Sequence, residues 1–307
     1  MIVVKLRGGL GNQMFQYALG RALALKHNTK LKLDSSAYGD PNSVPGAPRR
    51  YELDCFRLDA SFATVLDIGP APKPGSHWRS RAARTIRALR GIEVIKEWGY
   101  PFQPEILDAP DNTYLVGYWQ SEKYFKAAES VIRKDFSFRP PLRGRNEELA
   151  NVIRATDSVS VHFRRGDYVS HPWASKVLGV LPVSYYFQAL QEIAARREPH
   201  VFVFSDDPEW CRHNIAFPYE TTYADANPAD KGFEDMRLMT LCKHHVIANS
   251  SFSWWGAWLS PYADKTVYGP GRWALDPGAD TSDVVPSDWV KLRLDSEEST
   301  SRPADLT

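Results

Sequence analysis

Residues 159–168, VSVHFRRGDY, carry an imidazole, two guanidinium groups and a carboxylate into one short turn behind an apolar run. Arg presents a planar fork of donors that matches paired phosphate oxygens. His162, Arg164, Arg165 and Asp167 therefore suit a phosphate-bearing ligand, against the plainer use of such a turn as a salt-bridged surface loop. Three other segments offer comparable chemistry. Gly8-Gly9-Leu10-Gly11-Asn12-Gln13 lets the backbone approach a ligand closely, and the helix start behind it favours an anion. It lacks the Lys-Ser/Thr of a GxxxxGK[ST] phosphate loop. It half-matches a dinucleotide fingerprint through Gly9, Gly11 and Asp34, but Met14 stands where the third glycine belongs. Ser205-Asp206-Asp207-Pro208 holds paired acids for a metal, a ribose or a guanine, and equally for capping the next helix. Asn249-Ser250-Ser251-Phe252-Ser253 opens a helix with hydroxyls and amides, which suit a phosphate or an ordinary serine cap. Asp235 reads as an N-cap or as an acceptor for a base edge.

In open parallel sheets, ligands bind beyond the carboxyl ends of the strands. The periodicity puts each of these turns in that place. Strands are predicted over 1–7, 31–34, 159–164, 201–204 and 246–249, with another at the start of 114–125 before an aromatic-rich turn, and helices over 12–27, 79–90, 146–155, 184–197, 234–243 and 252–259, with Ser184 as a cap. Strand, glycine turn, helix and strand make a βαβ unit, which implies a parallel sheet. Pro140, Pro141 and the charged run behind them mark a junction. The expected organisation is an α/β domain at 1–150 with a variable insertion near 39–100, a second at 151–293, and a disordered polar tail at 294–307. Together the turns describe a nucleotide-diphosphate pocket in the second half, faced by the glycine turn of the first.

The chain of 307 residues is long for one core and suits two domains. Lys and Arg total 38 against 37 Asp and Glu, so no global field draws it to nucleic acid, and an anion must be captured locally. Cys55, Cys211 and Cys242 are few, odd in number and far apart, which speaks for a reducing compartment. Cys242-x-x-His245 has metal-like spacing without a second pair, so a buried cysteine on a helix is the better reading. The absence of a long apolar run predicts a cytoplasmic protein. Arg81, Arg84, Arg87 and Arg90 recur at intervals of three on the 79–90 helix. A solvated face is the default reading, and contact with an acidic polymer or with an anionic membrane surface, peripherally at the inner membrane, the alternative.

The segments KLRGGLGNQMFQYALGRALA (5–24), GYWQSEKYF (117–125), VSVHFRRGDYV (159–169), FSDDPEWC (204–211) and DMRLMTLCKHHVIANSSFSWWGAWL (235–259) resemble the bacterial α-1,2-fucosyltransferases of glycosyltransferase family 11. The likeness runs in order to about residue 275, while 39–95 and the tail carry no family signal. It implies a GT-B fold, two facing Rossmann-like domains with a cleft between them, and GDP-fucose held mostly by the second. His162 and Asp235 would face the guanine, Arg164 the β-phosphate, and Ser250 and Ser251 the same phosphates. Asn12 and Gln13 would reach the sugar or pyrophosphate. Arg165 and Asp167 would brace the turn, with Asp167 also the candidate general base. Tyr118 and Trp119 would touch a galactose-containing acceptor. The implied reaction is inverting transfer of fucose to the 2-hydroxyl of a β-galactoside, with no metal and no cofactor besides the GDP-fucose co-substrate. The acceptor could be an O-antigen, capsule unit or free oligosaccharide. An NAD(P)-dependent oxidoreductase and a non-enzymatic glycan-binding protein are the competing readings.

Overall fold

The computed structural model describes residues 1–39, 49–70 and 77–293. The expected tail at 294–307 and parts of the proline- and glycine-rich loops lie outside the described residues. The chain forms two compact units, Met1–Pro141 and Leu142–Thr307. The division falls within the Pro140-Pro141 junction, ahead of the 146–155 helix, because that helix packs on the second unit's core.

In the first unit, strands β1 (Ile2–Lys5), β2 (Leu31–Asp34), β3 (Ser61–Phe62), β4 (Glu93–Lys96) and β5 (Thr113–Val116) form one parallel sheet in the order β3-β2-β1-β5-β4. Apolar runs such as IVVK and TYLV fit central strands covered on both faces. Helix α1 (Leu10–Lys26) connects β1 to β2. Gly20 seats it: a Cβ there would lie 2.3 Å from Val4 Cγ2 and 2.7 Å from Leu31 Cδ1. Close helix–strand approach, the job of a third fingerprint glycine, is thus met two turns along, and Met14 is buried in the core. Helices α2 (Val65–Ile68), α3 (His77–Leu89) and α4 (Glu129–Asp135) complete this unit.

The second unit has six parallel strands: β6 (Ser158–Phe163), β7 (His200–Ser205), β8 (Thr221–Ala224), β9 (His244–Val246), β10 (Val267–Pro270) and β11 (Val290–Leu292). Their order, β8-β7-β6-β9-β10-β11, is that of a doubly wound dinucleotide-type sheet. The helices are α5 (Arg145–Ala155), α6 (Gly166–Ser170), α7 (Pro172–Val177), α8 (Val183–Ala194), α9 (Pro208–Asn214), α10 (Gly232–Leu241) and α11 (Ser251–Leu259). Alternate residues of the strands face opposite layers. Val159, Val161, Val201 and Val203 pack with Tyr185, Leu190 and Ile193 of α8. Phe202 and Phe204 pack with Leu149 and Ile153 of α5 and Leu238 of α10. The cap of α8 is Pro182 and not the expected Ser184, which lies inside the first turn.

Candidate functional site

Strand order reverses between β6 and β9, so the turns leaving those strands flank a crevice. The Arg-Arg-Gly-Asp turn leaves β6 and is built on an acid from the neighbouring strand. Asp206, just past β7, accepts the Arg165 backbone N–H (2.8 Å) and pairs through Oδ2 with Arg164 Nη1 (2.9 Å). Gly166 makes room for it, since a Cβ there would sit 2.5 Å from Asp206 Oδ2. Arg164 also pairs with Asp167 (Nη2 to Oδ1, 2.6 Å), and its guanidinium lies 5.4 Å from the Tyr168 ring centre. Burial opposes the charge of Arg164, but Asp206 and Asp167 outweigh it, so the guanidinium stays above its usual pKa range. Arg165 turns away, 3.5 Å over the Trp210 ring, with Nε 3.2 Å from Asp207 Oδ2. Asp207 accepts the Trp210 N–H and caps α9, with Pro208 at its first position. Both acids of the Ser-Asp-Asp-Pro turn are thereby committed to arginine.

His162 is the penultimate residue of β6, 4% exposed. Burial, reinforced by Arg164, lowers its pKa to about 3, so the imidazole is neutral at physiological pH. Among the described residues its Nδ1 has no hydrogen-bond partner, and its ring lies 5.6 Å from that of Phe252. Phe252 belongs to the turn beyond β9. There Ser250 caps α11, its Oγ accepting the Phe252 N–H (3.3 Å), and the partly exposed Ser251 opens the helix. Asn249 anchors this turn by donating to the Leu178 carbonyl (2.8 Å), and Tyr168 donates to the Asn249 carbonyl (2.9 Å). The turns after β6, β7 and β9 are therefore one hydrogen-bonded assembly. Trp254 and Trp255 are buried core residues.

Asp235 is not a helix cap: α10 starts at Gly232, and the residue before it is Lys231. Its Oδ1 accepts from Asn227 Nδ2 (2.7 Å), and Asn227 is also bonded to Asn146. Burial pushes the Asp235 carboxyl up to about 7, against the Asn227 bond and with help from Glu234. Cys242 and His245 do not form a pair: the thiol donates to the Leu238 carbonyl (3.7 Å), and His245 Nδ1 lies 2.8 Å from Ser160 Oγ. Among the described residues, no three His, Cys, Asp or Glu side chains converge as a metal site would require.

The first unit gathers its own constellation where strand order reverses between β1 and β5. Gly8 adopts φ +77°, and a Cβ there would meet Asn12 Nδ2 at 2.5 Å, so the position requires glycine. Asn12 is partly exposed and accepts from Gln120 Nε2 (2.7 Å). Gln13 braces the turn. It is fully buried, donating to the Gly8 and Arg50 carbonyls (3.1 and 2.8 Å) and accepting the Glu52 N–H (2.9 Å). Trp119 is buried, with 0% exposure. Tyr118 is 38% exposed, with Arg7 5.8 Å from its ring centre. Sequence reasoning missed the residues that build this turn. Glu97 accepts the N–H groups of Tyr118 (2.6 Å) and Trp119 (2.7 Å), which holds Trp119 at φ +58°. Gln16 joins the Arg7 backbone to the Gly117 carbonyl (3.0 Å).

The family model "Glycosyl transferase family 11" matches residues 102–293. The chain is 34% identical over 306 residues to an alpha-1,2-colitosyltransferase of Escherichia coli, covering 95% of this chain and 99% of that one. It is 32% identical over 308 residues to the O-antigen biosynthesis glycosyltransferase WbnK of Escherichia coli, covering 94% and 99%. It is 32% identical over 276 residues to the galactoside 2-alpha-L-fucosyltransferase SEC1 of Bos taurus, covering 87% and 66%. These matches show that the chain is an enzyme belonging to glycosyl transferase family 11.

Proposed function

We propose that the chain transfers L-fucose from GDP-β-L-fucose to the 2-hydroxyl of a β-galactoside, with inversion and without a metal. The observation that carries this reading is the hydrogen-bonded assembly of turns that holds Arg164, His162 and the Ser250 cap at the ends of β6 and β9; Asp235 lies in the first turn of α10. A carboxylate accepts from both N1–H and N2–H₂ of guanine, which makes Asp235 the base-selecting residue. Neutral His162 adds a polar edge to the same base. Arg164 and the first amides and hydroxyls of α11 receive the diphosphate.

Breaking the anomeric C–O bond leaves negative charge on the β-phosphate and oxocarbenium character on the sugar. Preorganised donors aimed at that charge are the largest expected contribution to rate. Arg164 is preorganised by the two carboxylates that hold it, and it exchanges part of their contact for the phosphate. Asp167, at 2.6 Å from Arg164, serves as positioning residue in this account and not as the base. The acceptor hydroxyl attacks from the face opposite the leaving diphosphate, which converts the β-linked donor into an α-linked product. The departing diphosphate can take the proton. Both acids of the Asp206-Asp207 pair are occupied by arginine, which supports neutralisation by side chains in place of a metal. Exposed Tyr118 is the acceptor contact that the first unit offers.

Nucleotide binding tests the reading. GDP should raise the thermal midpoint, while UDP and NADH should not. Inosine diphosphate, which lacks the N2 amine, should bind about 10- to 100-fold more weakly, the weight of one hydrogen bond to a charged group. Equal protection by GDP and UDP would remove the role given to Asp235. Because one relative is named for colitosyl transfer, a colitosyl donor should be compared with the fucosyl one.

A further inference from the structure

The arginine stripe on α3 does not lie on one solvated face. A helix turns about 100° per residue, so residues three apart drift by about 60° each step. Arg81 and Arg84 are exposed. Arg87 has swung inward, its guanidinium 4.6 Å from the Tyr114 ring centre and its Nε bonded to the Ile68 carbonyl (3.0 Å). Arg90 donates to the Leu66 carbonyl (2.9 Å), which joins the end of α3 to α2. Beside the outward arginines stand large apolar side chains that the fold leaves uncovered. Trp78 is 64% exposed, Leu89 82%, Val65 58% and Leu66 78%. No acidic residue occurs from His77 to Ile92, and Asp67 of α2 is neutralised by Lys32 at 2.7 Å.

We propose that this face, Trp78, Leu89, Val65 and Leu66 with Arg81 and Arg84 beside them, docks on an anionic lipid bilayer. Large apolar side chains this exposed, gathered on two joined helices, are uncommon on a protein that stays in bulk water. Its combination with cations selects the occupant. Trp and Leu enter the boundary between headgroups and acyl chains, while Arg reaches the anionic headgroups along its apolar stem. Arg79, 5.3 Å from the Trp78 ring centre, adds a cation beside that anchor. A second copy of the chain is a poorer occupant, because a two-fold contact would bring each arginine against its own image. The surface is separate from the residues assigned to nucleotide binding, so the inference stands or falls independently of the donor and acceptor.

The test is flotation of the full chain with vesicles of phosphatidylcholine alone and of phosphatidylcholine mixed with phosphatidylglycerol. The wild type should float with the anionic vesicles only, and less at 1 M salt, where the Debye length falls to about 3 Å. Arg81→Gln/Arg84→Gln should lower the partition coefficient about 30-fold, the weight of two cations at an anionic surface. Trp78→Ser/Leu89→Ser should lower it about tenfold or more by removing the inserted apolar groups. All four positions are on the solvent face of α3, so an unchanged thermal midpoint verifies that the variants fold. No flotation of the wild type, equal flotation of wild type and variants, or dimerisation abolished by the same substitutions would each overturn the proposal.

Discussion

Arg164 is both a structural tie and the proposed leaving-group donor, and Arg164→Ala separates the two roles. The guanidinium stands 2.6 Å from Asp167 and 2.9 Å from Asp206, with the three side chains 20%, 23% and 26% exposed. Breaking a fully buried pair costs about 3–5 kcal/mol, and a surface pair about 0–1. With roughly a quarter of each group in water, about 2 kcal/mol is the expected loss, or about 4–8 °C in thermal midpoint for a unit of this size. Most of it comes from leaving two carboxylates unneutralised around the turn. The catalytic loss is separate: deleting one preorganised donor to a developing anion costs about 10²–10³ in kcat. The double variant Arg164→Ala/Asp167→Asn removes one orphaned carboxylate and should recover about half of the stability but none of the rate. Calorimetry reads the first quantity, and release of GDP at saturating donor and acceptor reads the second. A double variant whose kcat returns to within tenfold of wild type would show that Arg164 acts only as a tie, and the proposed chemistry would fail.

Asp235 gives a pH signature. With its carboxyl pushed up to about 7, donor kcat/KM should fall about tenfold per pH unit below 7, because guanine recognition needs the ionised form. The stability effect has the opposite sign. Between about pH 4 and 7 the folded protein keeps a proton that the unfolded chain has lost, so stability falls as pH rises through that window. Asp235→Asn should therefore raise the midpoint of the ligand-free protein at pH 8 while weakening GDP; a lower midpoint would contradict the burial argument. Gly166→Ala should cost about 1–3 kcal/mol and most of the activity, since the new methyl meets an Asp206 carboxylate fixed by two partners. A near-wild-type melt would show that this carboxylate yields. Glu97→Ala should cost about 2–4 kcal/mol by orphaning two backbone N–H groups and releasing Trp119 from φ +58°, with circular dichroism melts as the measure. A loss below half a kcal/mol would mean that the turn holds itself.

Much of this architecture is readable in the chain because its signals are local. Apolar strands followed by glycines or serines mark β1, β6 and β9, and the parallel pairing follows from the alternation with helices. Individual side-chain roles are less legible where the partner is distant in sequence. Asp206 builds the turn at Arg165 from 41 residues away, and Gln16 reaches Gly117 across 101. A paired acid after a strand was a visible signal, but nothing local told that its counterions would be arginines. The family resemblance points Gln13 and Trp119 at ligands, while the fold buries both side chains. Spacing alone does not tell which of two successive side chains points into the core. The arginine stripe erred for a geometric reason, since an interval of three residues winds around a helix and carries Arg87 from water to Tyr114.

The proposed reaction is metal-free, inverting fucosyl transfer driven by Arg164 and the α11 start. It is tested most directly by incubating the protein with GDP-β-L-fucose and a β-galactoside in excess EDTA, and reading GDP release together with the anomeric configuration and linkage of the product by NMR. GDP release should be undiminished, and the product should carry an α-linkage to the galactose 2-hydroxyl. Release that EDTA abolishes and a divalent cation restores, or a product of retained β configuration, would contradict it.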